Sequence, residues 1–155
     1  MSFADRTLEE VLTRLASDAV SPGSGAAAAV TLAFAAACAG KALAISRKHR
    51  PAEDYMNAAE KRLGEIVRSS LERADADASL FESFIHRKDR KAAEALVRAD
   101  EAAQALSHVL AAVLDEISDA IHPVVAADIA AARVLLSAAS QIEARIRAEN
   151  QQAAR

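Results

Sequence analysis

Apolar positions along this chain recur at intervals of three and four, the period of a helix that buries one face. Leu8, Val11, Leu12 and Leu15 form the first stripe. The opening Thr7-Leu8-Glu9-Glu10 fits a capping box, in which a hydroxyl and a carboxylate satisfy free N–H groups of the first turn, so this helix begins near Asp5 or Thr7. Ser21-Pro22-Gly23-Ser24-Gly25 stops it and starts a second helix, over 24–46, which ends at Arg47-Lys48-His49-Arg50. A third starts at Pro51, where the missing N–H of a first helical residue costs nothing. It carries Leu63, Val67, Leu71, Ala74, Ala78, Phe81 and Ile85 and ends within His86 to Lys91. The fourth repeats Leu96, Ala99, Ala103, Leu106, Leu110, Val113 and Ile117, the spacing of a bundle seam, and ends at His122-Pro123. The fifth carries Val125, Ile129, Ala132, Leu136, Ala139, Ile142 and Ile146, and the polar tail from Asn150 to Arg155 is expected to fray.

The pattern predicts an all-α single domain over residues 1–155, an antiparallel bundle of about five helices with the Ala-rich second helix at its centre. Composition agrees: 52% of residues are apolar, with Ala dominant, and there are only 4 Gly and 3 Pro to break helices. The run from Gly25 to Ile45 has the length that spans a bilayer. It is mostly Ala, a weak inserter, and Gly40-Lys41 interrupts it, so a helix buried inside a bundle explains it better than a membrane span. Each Ala buries little area, so such a helix must be covered on every side. Four neighbours cover it incompletely, and a homodimer is expected to supply the rest.

Net charge is -3 and aromatics are 3%, with no Trp, which argues against a nucleic-acid partner: neither a basic field nor stacking platforms are present. Cys38 is the single cysteine, read as a small buried apolar residue in a reducing compartment. The start, MSFADRTLEE, lacks the apolar core of a signal peptide, and a cytoplasmic protein is expected. His49, His86, His108 and His122 show no metal-ligand spacing, so no metal is expected.

Four features could carry chemistry. Pro22-Gly23-Ser24-Gly25 opens a helix whose free N–H groups could face a ligand; the plainer reading is a tight turn between antiparallel helices. Asp75 and Asp77 lie near Phe81 and Phe84, where a partly dry carboxylate could exchange protons; the plainer reading is a solvated polar face on a highly charged helix. Asp128, early in the fifth helix among Val124, Val125, Ala126, Ala127 and Ile129, is either a dipole-stabilised first-turn acid or an inward-facing one. The basic clusters Arg47 to Arg50 and Arg87 to Lys91 suit helix C-termini or an anionic ligand.

Taken in order, these residues resemble the cyclodeaminase and methenyltetrahydrofolate cyclohydrolase family, which includes the C-terminal domain of formiminotransferase-cyclodeaminase. Leu15-Ala16-Ser17 followed by Pro22-Gly23-Ser24-Gly25-Ala26-Ala27-Ala28 is similar to its N-terminal signature. Asp77-Ala78-Ser79-Leu80-Phe81 resembles its Asp-x-x-x-Phe segment, and His122-Pro123-Val124-Val125-Ala126-Ala127-Asp128 its Asn-Pro-x-x-x-Ser-Asp segment. Arg147-Ala148-Glu149-Asn150 falls where the family ends in Asn-Val-x-x-Asn. The likeness runs from Thr7 to Asn150. Ser24 replaces the middle Gly, Ala44-Ile45-Ser46 stands for Asn-Leu-Thr, His122 for the Asn before Pro, Ala127 for Ser, and Ile146 for the first Asn of the last motif.

The resemblance implies a tetrahydrofolate derivative as substrate, no covalently bound cofactor, and a reaction that opens or closes the N5–N10 one-carbon bridge, as cyclohydrolase or cyclodeaminase. Asp77 and Asp128 would be the catalytic acids, and Pro22, Gly23, Ser24, Gly25, Ser46 and His122 would bind the ligand. The alternative is a non-catalytic homodimer of the same fold that binds a small ligand or serves as a structural partner. Helix lengths at 1.5 Å per residue place Asp77 about level with the Pro22 loop and Asp128 near the opposite end of the bundle. A site using all three would need a second, antiparallel subunit.

Overall fold

The computed structural model describes residues 2–49 and 53–154. After a 3-10 turn over Phe3–Asp5, Thr7 opens α1 (Leu8–Leu15) through the expected capping box. Its hydroxyl accepts from the Glu10 N–H at 3.2 Å, and the Glu10 carboxylate accepts from the Thr7 N–H at 2.7 Å. Val11 anchors α1 to the body while Leu8 and Leu12 stay exposed, so this helix is a short flap.

α2 (Ser24–Ser46) is the central rod. Ala28, Ala35, Ala36, Ala39 and Ala42 are fully buried beside Leu32 and Leu43. Side chains this small let α3 (Asp54–Arg87) pack on one flank and α5 (Ala126–Ala153) on the other. α4 (Arg90–Glu116) closes the bundle against α3 and α5. The main core is built from Leu32, Leu43, Met56, Leu63, Ile66, Leu110, Leu114 and Ile117. Among the described residues every element is helical, as the periodicity predicts.

Three boundaries differ from the sequence reading. Pro51, expected to begin the third helix, lies outside the described residues; Glu53, in extended conformation, precedes Asp54. α4 stops at Glu116, short of His122, and two 3-10 turns, Ser118–Ala120 and Pro123–Val125, carry the chain to α5. Val125 is thus buried in a turn, not on the fifth helix. The tail does not fray at Asn150, since α5 continues to Ala153. The Asn150 amide donates to Asp100 at 2.9 Å, and the good helix formers Gln151, Gln152 and Ala153 carry the last turn. Between α3 and α4 the chain reverses at Lys88, in the left-handed conformation with φ of 48°, and Asp89 caps α4 by accepting from the Ala92 N–H at 2.8 Å. Cys38 is half-buried against the core.

Candidate functional site

Two ends of the bundle collect the candidate residues. At the first end, the start of α2 meets the far part of α3. A Cβ built on Gly25 would lie 2.1 Å from Oδ1 of Asp77, so a glycine is what lets this carboxylate reach the backbone. The Ala26 N–H donates to Asp77, which thereby satisfies a donor that the capless Gly23 leaves free. This end also carries a cavity of about 160 Å³ lined by Gly23, Ser24, Gly25, Asp77, Phe81 and Asn150, together with Leu96, Ile146 and Glu149. Pro22 is buried on the other side of the loop, facing a separate hollow with Arg14 and Asp75.

Asp75 and Asp77 separate on structure. Asp75 accepts from the Phe3 N–H at 3.0 and 3.1 Å and ties the N-terminal turn to α3. Asp77 faces the cavity. Burial pushes its carboxyl above the usual carboxylate range, and the Asp100 charge adds to this; Arg73, one turn away on α3, and the Ala26 N–H act in the opposite direction. Asp100 is itself held high by burial, against the pull of the Asn150 amide and the charges of Arg73 and Arg147.

Behind the cavity, Arg73 donates to the buried Glu143 at 3.3 Å, and the Ser107 hydroxyl donates to the same carboxylate at 3.0 Å. Sequence reasoning missed Arg73, Asp100, Ser107 and Glu143, because charged residues on amphipathic helices read as solvated faces. A signal was present: Asp100 falls between Leu96 and Ala103, and Glu143 falls four after Ala139, so both occupy seam positions.

The opposite end gathers Ser46, His122 and Asp128. The buried Ser46 hydroxyl donates to the Ala42 carbonyl at 2.7 Å and accepts from the His122 N–H at 2.8 Å. His122 caps the following turn through Nδ1, and its ring stacks on His49 at 4.3 Å. Asp128 accepts from Lys41 at 3.2 Å. Ser24 and Lys41 are about 25 Å apart along α2, so within one subunit Asp128 does not reach the cavity of Asp77. Of the expected site residues, the fold brings together Gly23, Ser24, Gly25 and Asp77, and it places Ser46, His122 and Asp128 at the other end. Three basic residues near the helix ends have acidic partners: Arg47 pairs with Glu60, Arg87 with Asp89 at 3.2 Å and Arg90 with Glu94 at 2.8 Å. No group of three or more potential metal ligands occurs among the described residues.

The family model described as formiminotransferase-cyclodeaminase matches residues 7–145. This chain belongs to the formiminotransferase-cyclodeaminase family. The crystal structure of formiminotetrahydrofolate cyclodeaminase from Thermotoga maritima superposes with a TM-score of 0.82 at 22% identity, covering 96% of this chain and 80% of that one. At that identity the likeness establishes a shared fold. No curated protein matches the chain. The family assignment agrees with the resemblance read from Pro22 to Ala28, Asp77 to Phe81 and His122 to Asp128.

Proposed function

We propose that the cavity at the start of α2 takes the one-carbon bridge of a tetrahydrofolate derivative and that Asp77 carries the proton. The observation behind this reading is the desolvated Asp77 carboxyl held at a helix N-terminus beside Phe81. In a cyclohydrolase reaction, water adds to the methenyl carbon, its proton passes to a base, and one carbon–nitrogen bond opens. In a cyclodeaminase reaction, N10 attacks the formimino carbon and ammonia leaves with a proton. Asp77 in its ionised form suits the first as base and as counter-charge to the cationic ring; in its protonated form it suits the second as acid. Phe81 and Ile146 would face the flat ring, and Asn150 and Ser24 its polar edges.

The working unit is a homodimer in this reading. A 160 Å³ cavity is smaller than the roughly 300–1,000 Å³ that ligands of folate size occupy. Phe34, Val124 and Val134 leave exposed apolar surface on α2, α5 and the turn before it. An antiparallel partner seated there would bring its own Ser46, His122 and Asp128 toward this subunit's cavity. α2 and α5 are also long and apolar enough to cross a membrane by length and composition, and burial of α2 between α3 and α5 supports the bundle reading over a span.

A second reading, a non-catalytic homodimer that binds a small ligand, draws on the opposite end. There the Ser46 hydroxyl and the Asp128 carboxylate are engaged with Ala42, His122 and Lys41. Titration with 5,10-methenyltetrahydrofolate separates the readings. Binding followed by loss of the methenyl absorbance supports the enzyme, binding without turnover supports the second, and no binding at millimolar ligand ends the folate assignment.

A further inference from the structure

Asn150 lines the cavity that holds Asp77 and donates at 2.9 Å to Asp100, which is 8% exposed behind the wall. Leu96, one turn before Asp100 on α4, lines the same cavity. Arg73 is the cation common to both carboxyls and is fixed from behind by Glu143, which Ser107 holds in turn. Both carboxyls are desolvated beside this cavity wall, Arg73 draws on both, and the Asp100 charge opposes ionisation of Asp77.

We propose that Asp100 is a positioning residue for Asp77: the two form a coupled carboxyl pair that keeps one proton at the cavity, with Asn150 linking the hidden member to the cavity wall and Arg73 setting their balance. This rests on the reading of Asp77 as the proton carrier. It adds that the proton store is shared between α3 and α4 and does not reside on a lone acid. The groups facing the pair are Arg73 from α3, Glu101 from α4, and Glu143, Arg147 and Glu149 from α5; α2 contributes the Ala26 N–H. Loss of the Asp100 charge therefore favours ionisation of Asp77, and loss of the Asn150 amide acts in the same direction, because a less stabilised Asp100 keeps its proton while Asp77 titrates.

The test is a carboxyl-carbon NMR titration of the full chain, with Asp77→Asn identifying the Asp77 signal. In Asp100→Asn the Asp77 midpoint is expected to fall by about half a pH unit or more, and in Asn150→Ala by less, in the same sense. A folded Asp100→Asn protein with an unchanged Asp77 midpoint overturns the pair. If that variant does not fold, Asn150→Ala decides: a fall supports the pair and no change overturns it. The readout needs no folate. A moved midpoint in a protein that does not bind methenyltetrahydrofolate sustains the pair and removes the folate reading. Where turnover is found, the pH–rate profile should shift with the NMR midpoint, a change that a purely structural role for Asp100 would not produce.

Discussion

The carboxyl of Asp77 occupies the space that a side chain on Gly25 would fill, with Oδ1 2.1 Å from that Cβ position. Gly25→Ala must therefore push Asp77 away from the Ala26 N–H. We expect a loss of about 1–3 kcal/mol in urea unfolding, as for other overpacked sites, together with lost ligand binding at the cavity. Gly64 is the control: it lies exposed within α3 with nothing near its Cβ position, and Gly64→Ala should stabilise by about 0.5–1 kcal/mol. Equal effects at the two glycines would contradict this account.

Asp77 gives stability a distinctive pH dependence. Its native carboxyl is raised above the ordinary aspartate value, chiefly by burial, so the folded chain binds its proton more tightly than the unfolded chain does. Its contribution is therefore most favourable at low pH and is lost as pH rises from the ordinary carboxylate range through the native value. Asp77→Asn keeps an acceptor for the Ala26 N–H but cannot ionise. Thermal melts across that window should show the variant gaining on the parent as pH rises; parallel curves would refute the assignment.

Glu143 is 3% exposed and holds both Arg73 and Ser107. Glu143→Ala leaves the partly buried Arg73 guanidinium and the Ser107 hydroxyl without their acceptor and should cost up to about 3–5 kcal/mol by chemical denaturation. Replacing Arg73 and Glu143 together by Met and Leu should recover part of that loss, because the guanidinium that lost its anchor is then gone, while Asp77 and Asp100 lose the cation that acts on both. Failure of the double variant to recover would locate the cost in packing.

For the homodimer, light scattering should give twice the 16.3 kDa chain mass at micromolar concentration. Phe34→Asp with Val134→Asp places charges on the exposed apolar face of α2 and α5 and should yield monomers with unchanged helicity by circular dichroism. A monomeric parent protein would remove the interface.

The helices were legible because their stripes are long and regular, and α2 because Ala is common and Gly and Pro rare. The meeting of Asp77 with the Pro22 loop was legible from helix length, since the fold runs α2 and α3 antiparallel, with Arg47 paired to Glu60 at one end and Gly25 against Asp77 at the other. Asp100 and Glu143 were hidden by their charge, although their spacing placed them on the seam. The ends of α4 and α5 were displaced because periodicity does not register the 3-10 turns around Pro123 or the tether that Asp100 supplies to Asn150.

The fully buried alanines of α2 also govern how such a chain can diverge. Ala28, Ala35, Ala39 and Ala42 have no exposure to solvent in a rod packed between α3 and α5, so in a close-packed interior a larger residue there must push those helices apart. Accepted replacements there are confined to the smallest residues, whereas the outer faces of α3, α4 and α5 are free to change. A lineage built on this rod can exchange most of its letters while its backbone stays in place, so distant members should be recognised by a column of small residues sooner than by overall identity.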